Sequence, residues 1–195
     1  MAHLDVDDCA LVVIDAQPGF YGVQREDVDR AGHTSALARS AWVAAVAAAL
    51  EVPVVITEED ATRNGPTDPA ILAAVPTGTA AFDKTVFGAN DEPAIDAAVR
   101  RTGRGTVVLV GTETDICVAQ SAIGWRDAGL RPVVVHDAVY SAGAGHDNGI
   151  RRLSAEGIEL LSAKELYYEW LRTLARVRTL EAEHPSLAAP PGFSL

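Results

Sequence analysis

The sequence predicts an α/β domain: one parallel sheet with helices packed on both faces. Three observations carry this. Short β-branched runs alternate with helical stretches from end to end, the pattern of strand–helix–strand units. The runs at 10–14, 107–110 and 133–135 are unbroken apolar, as strands covered on both faces are. No repeat, charge block or linker divides the chain, whose 195 residues suffice for one well-covered core.

The elements follow in order. Residues 10–15 form a first strand closing on Asp15. Residues 35–50 are Ala-rich, with Leu37, Ala41, Ala44 and Ala48 at helical spacing, and end before Pro53. That helix reads equally as a core element or as a flat face for packing against another copy. Residues 54–57 read as a second strand, 64–69 as a Gly/Pro/Asp loop, 70–75 as a short helix and 80–84 as a weak third strand. A helix over 92–101, a strand over 106–110, a helix from Cys117 to Ala128 and a strand over 132–136 continue the alternation. A helix over 148–156, a strand over 158–161 and a closing helix over 163–181 complete it. The domain is expected to span 1–183, with a mobile tail over 184–195 that contains Pro190-Pro191-Gly192.

Composition narrows the function classes. A formal net charge of −11 and a pI near 4.8 argue against nucleic acid or an anionic membrane surface as partner. A small-molecule substrate is the expected partner. No apolar run approaches a membrane span, and the acidic start Leu4-Asp5-Val6-Asp7-Asp8 has no signal-peptide character. Two cysteines do not make a disulfide framework, so a cytoplasmic setting is expected.

In parallel sheets ligands bind at the carboxyl ends of the strands, where strand order reverses. Three reactive side chains fall at such ends: Asp15 after the first strand, Lys84 after the third, and Cys117 at the start of the helix after the fourth. Each has a plainer reading. Asp15 fits a turn or cap, Lys84 a solvated surface, and Cys117 a small buried hydrophobe. Together they supply a base, a positive charge and a nucleophile, the parts of acyl transfer. A thiol about one turn into a helix is also expected to have its pKa lowered by the helix N-terminus. Cys9, beside Asp7 and Asp8, reads as structural.

Other chemistries lack their motifs. Gly103-Arg104-Gly105 precedes a strand and is no dinucleotide fingerprint, and neither a Walker sequence nor a Gly-x-Ser-x-Gly elbow is present. The five histidines are scattered without metal-ligand spacing. His136 and Asp137 read as structural or capping residues, and Trp42, Trp125 and Trp170 as packing.

Three segments resemble the signature segments of the isochorismatase-like cysteine hydrolases. They are Val12-Val13-Ile14-Asp15-Ala16-Gln17, Asp83-Lys84-Thr85-Val86-Phe87-Gly88-Ala89, and Gly111-Thr112-Glu113-Thr114-Asp115-Ile116-Cys117-Val118. They occur in the expected order between about residue 8 and about residue 172, and Asp137-Ala138-Val139 fits too. The resemblance implies a Rossmann-like three-layer sandwich with a six-stranded, mostly parallel sheet. It implies an Asp15–Lys84–Cys117 triad, a cis peptide between Thr112 and Glu113, and an oxyanion hole from the backbone N–H groups of Glu113 and Cys117. It also implies hydrolysis of a C–N bond through a thioester, no cofactor, and a homo-oligomer. Metal-dependent nicotinamidases of this superfamily carry Asp-x-His after the second strand. The stretch Thr57-Glu58-Glu59-Asp60 has no histidine, and Thr57-Glu58-Glu59 followed by Gly65-Pro66-Thr67 resembles the metal-free branch, where Gln commonly stands at the Glu59 position. Vinyl-ether hydrolysis with Asp15 as acid, and an idle binding or assembly module, are the alternative readings.

Overall fold

A computed structural model describes residues 3–193; Met1, Ala2, Ser194 and Leu195 lie outside the described residues. Six strands form one sheet: β1 (Cys9–Ile14), β2 (Val54–Glu59), β3 (Ala81–Lys84), β4 (Thr106–Thr112), β5 (Arg131–Tyr140) and β6 (Glu159–Leu161). Their spatial order is β3-β2-β1-β4-β5-β6, and every pairing is parallel. The sheet is thus wholly parallel and doubly wound, with its switch point between β1 and β4.

Every residue of β1 and β4 is buried, which explains the unbroken apolar runs at 10–14 and 107–110. Successive side chains alternate between faces. Leu11, Val13, Val108 and Val110 point to one layer, with α1 (Arg30–Ala49), α3 (Pro69–Ala74), α7 (Ala163–Leu171) and α8 (Leu174–Glu183). Val12, Ile14, Val107 and Leu109 point to the other, with α4 (Pro93–Arg101), α5 (Ala119–Asp127) and α6 (Gly145–Ala155). A one-turn helix, α2 (Ala61–Asn64), sits in the loop after β2.

The structure corrects several boundaries, each for a local reason. The first helix starts at Arg30 because Asp29 caps it, its side chain accepting from the Ala31 N–H. The closing helix is two helices. Arg172 takes a left-handed φ of 63° and Thr173 caps the second, so the chain turns between α7 and α8. Residues 114–118 form a π-helical turn ahead of α5, where a helix beginning at Cys117 was expected. Residues 184–193 lie against α1: Leu187 is buried and Arg39 donates to the Pro191 carbonyl. Trp42, Trp125 and Trp170 are all buried packing residues.

Candidate active site

Gly111 takes a φ of 125°, and a Cβ there would lie 1.9 Å from the Ile14 carbonyl oxygen, so only glycine lets β4 pass the end of β1. That close approach brings Asp15, the residue after β1, beside the turn that follows β4. Asp15 has a left-handed φ of 44° and is fully buried. Its Oδ2 lies 2.6 Å from the Lys84 Nζ, and its Oδ1 accepts from the Thr57 hydroxyl at 2.6 Å. The Thr112 hydroxyl donates to the Asp15 backbone carbonyl.

Lys84 ends β3 and is as buried as its partner. Its other donors go to the carbonyls of Val86 (3.0 Å) and Phe87 (3.2 Å). The ammonium thus sits between two backbone carbonyls and the Asp15 carboxylate. Ser121 ties this loop to the helix beyond the thiol, accepting from the Ala89 N–H at 2.8 Å and donating to the Cys117 carbonyl at 2.6 Å.

Cys117 sits in the π turn, 1% exposed. Its Sγ donates to the Glu59 Oε2 at 3.6 Å, and ligand-type atoms of Asp15, Glu59 and Cys117 all lie within 4.8 Å of one another. The expected lowering of its pKa by the helix terminus is overturned. Burial first, then the negative charge of Asp15, push the thiol well above its ordinary range, with Lys84 opposing. The burial and the Asp15 charge thus favour the thiol form of Cys117 over the thiolate. Cys9, pushed up to about 11 mainly by burial, donates to the Asp5 carbonyl and is structural.

The expected cis peptide is also corrected. Among the described residues every peptide is trans, including Thr112–Glu113. The chain instead reverses through Glu113 itself, in the left-handed region at φ 59° and ψ 62°. The Glu113 carboxyl accepts from the Tyr21 hydroxyl at 2.6 Å, and burial pushes its pKa up. Tyr21 packs in turn on His33 and Tyr140. Glu113 immediately precedes the π turn and Cys117 is its fourth residue.

Sequence reasoning missed Thr57, Gln17, Ser121 and Tyr21. Thr57 was readable as a hydroxyl at the carboxyl end of the strand beside β1. Gln17 stands inside a quoted segment. Its amide brackets Glu59, accepting from the Glu59 N–H at 2.7 Å and donating to the Glu59 carbonyl at 3.2 Å. Glu59 lines a cavity of about 410 Å³ with Gly19, Phe20, Arg25, Arg63 and Asn64. Asp15, Glu59 and Cys117 are also cation-ligating types. A divalent ion there would have to compete with the Lys84 ammonium already on Asp15.

His136 and Asp137 lie on a second cavity, of about 420 Å³, between α1 and the end of β5. Asp137 caps α7 by accepting from the Ala163 N–H at 2.8 Å. His146, on the same cavity, bonds Thr114 of the π turn at 3.2 Å.

The fold and these groups define a doubly wound α/β protein with a thiol, two carboxylates and an ammonium gathered at its switch point. The chain belongs to the isochorismatase family of hydrolases, whose Isochorismatase domain model matches residues 9–165. It is 27% identical over 193 residues to the probable hydrolase YcaC of Escherichia coli strain K12, covering 93% of this chain and 88% of that protein. It is 31% identical over 185 residues to the uncharacterized isochorismatase family protein YecD of E. coli O157:H7, covering 85% and 98%. The crystal structure of E. coli YcaC, described as an octameric hydrolase of unknown specificity, superposes with a TM-score of 0.78 at 25% identity, over 96% of this chain and 93% of that one. N-carbamoylsarcosine amidase from Thermoplasma acidophilum shares the fold, with a TM-score of 0.66 at 20% identity over 81% and 98%.

Proposed function

We propose that the protein is a cysteine hydrolase that cleaves a C–N bond of a small amide-type substrate through a thioester. The observation that carries this is the Cys117 thiol beside Asp15, which is paired with a buried lysine 2.6 Å away. A protein of the same fold is named an amidase, which agrees with the reading.

Asp15 accepts the thiol proton as Sγ attacks the substrate carbonyl, forming the C–S bond. The N–H groups of Glu113 and Cys117 hold the oxyanion; removing one such donor elsewhere costs about 2.7–4 kcal/mol of barrier. The C–N bond then breaks, and the departing nitrogen takes the proton from Asp15. Water hydrolyses the thioester and the thiol is restored. Lys84 keeps the site's charge balanced while the proton is away from Asp15.

Arg63 and Glu59 stand on the same cavity, and Arg25 there is paired with Asp27, so neutral and carboxylate-bearing amides are both candidate substrates. By analogy with octameric YcaC, the protein is proposed to assemble as a homo-oligomer. A panel of neutral and carboxylate-bearing primary amides, assayed for ammonia, tests the reading. Release by the wild type and none by Cys117→Ala is the expected result. No release from any amide, with Cys117 inert to thiol reagents, would favour an idle binding module.

A further inference from the structure

The two carboxylates beside Cys117 are not placed alike. Asp15 is fully buried; one of its oxygens is in ion-pair contact with Lys84 and the other accepts from the Thr57 hydroxyl. Glu59 is half-buried on the cavity wall, and the one donor its carboxylate meets is the weak Cys117 S–H. Its backbone is clamped on both sides, by the Gln17 amide and by the Asn64 amide on its carbonyl at 2.8 Å. Asp15 lies beside it, the charge of Glu113 is near enough to act on it, and Arg25 and Arg63 line the same cavity. The backbone of Glu59 is therefore fixed, while its carboxylate is half-exposed on the cavity wall and within reach of sulfur.

We propose that Glu59 is a second acid–base group of the site, acting on the water that hydrolyses the thioester; this rests on the cysteine-hydrolase reading above. In the first half-reaction Asp15 carries the thiol proton to the leaving nitrogen and returns to its ion pair. In the second, Glu59 takes a proton from a water in the cavity. The water oxygen bonds to the thioester carbon, the C–S bond breaks, and the proton passes from Glu59 to Sγ, 3.6 Å away. Atoms and charge balance, and each carboxylate serves the half-reaction that its exposure allows.

The test uses p-nitrophenyl acetate, which reaches the same kind of thioester through a leaving group that needs no proton. Wild type should give a burst of p-nitrophenolate, the acylation of Cys117, followed by a steady rate. Glu59→Gln should keep the burst while its steady rate per burst-active site falls about 10²-fold, the usual worth of a general base. Acetyl-enzyme should then accumulate on Cys117 by intact mass. Hydroxylamine, which attacks thioesters without a base, should restore turnover. A steady rate in Glu59→Gln equal to wild type overturns the proposal. So does loss of burst and turnover together in both Glu59→Gln and Glu59→Asp, which would put Glu59 in acylation. A wild type with no Cys117-dependent burst would instead overturn the reading on which the proposal rests.

Discussion

Asp15 and Lys84 form an ion pair with both side chains out of contact with solvent. Such pairs stabilise little over an apolar pair, but removing one partner strands the other charge and costs about 3–5 kcal/mol. Lys84→Met should therefore lower the unfolding free energy by that amount in urea titrations, and abolish turnover. Asp15→Asn should abolish turnover as nearly as Cys117→Ala does. The thiol's raised pKa gives a second expectation. Alkylation of Cys117 in the free protein should quicken continuously as pH rises between about 6 and 9, with no plateau, because the thiolate is not the resting form. A plateau reached near neutrality would mean a thiolate already formed. At this scale the sequence shows Asp15, Lys84 and Cys117 because each stands at the carboxyl end of a recognisable strand. It hides Thr57 and Glu59 because their role depends on which strand lies next to β1, a fact of topology and not of spacing. It misleads on the thiol, since burial and Asp15 outweigh the helix terminus.

The π turn at 114–118 is held from outside by α6. A Cβ at Gly149 would sit 2.7 Å from the Asp115 N and from the Thr114 carbonyl carbon, both backbone atoms that cannot yield cheaply. The Ser141 hydroxyl donates to Asp115 Oδ1 at 2.7 Å and adds a second clasp. Gly149→Ala should cost about 1–3 kcal/mol by overpacking, and should lower kcat more than it raises KM because it displaces Cys117, the proposed nucleophile. Denaturant unfolding together with steady-state kinetics would show whether stability and kcat fall together. The strand and helix alternation is legible because the apolar runs are pure and the helices are capped. The π turn is not, because Thr114 to Val118 carries no local mark that separates a π turn from an α turn. That difference is set by the left-handed Glu113 and by α6 packing on it.

Across the whole molecule, burial lowers the pKa of His33, which packs between Tyr21 and Tyr140, and of His146, which bonds Thr114. The unfolded chain binds protons at these sites more readily than the folded one, so stability falls as pH drops through the ordinary histidine value of about 6.5. Melting temperatures measured at pH 7.5 and pH 5.5 should show that loss, reduced in His33→Phe; equal melting temperatures would contradict the burial argument. Strand order, the open cavities and the packing of residues 184–193 on α1 were beyond the sequence, because each depends on contacts between distant segments. The switch point is what joins the scales: it sets a thiol, two carboxylates and an ammonium from four strand ends side by side. The most direct test of that site is to quench wild type and Cys117→Ala during turnover of an amide found to release ammonia, and to map adducts by peptide mass spectrometry. An acyl group on Cys117 in wild type, and no turnover in Cys117→Ala, is the predicted result; wild-type turnover by Cys117→Ala would contradict the account.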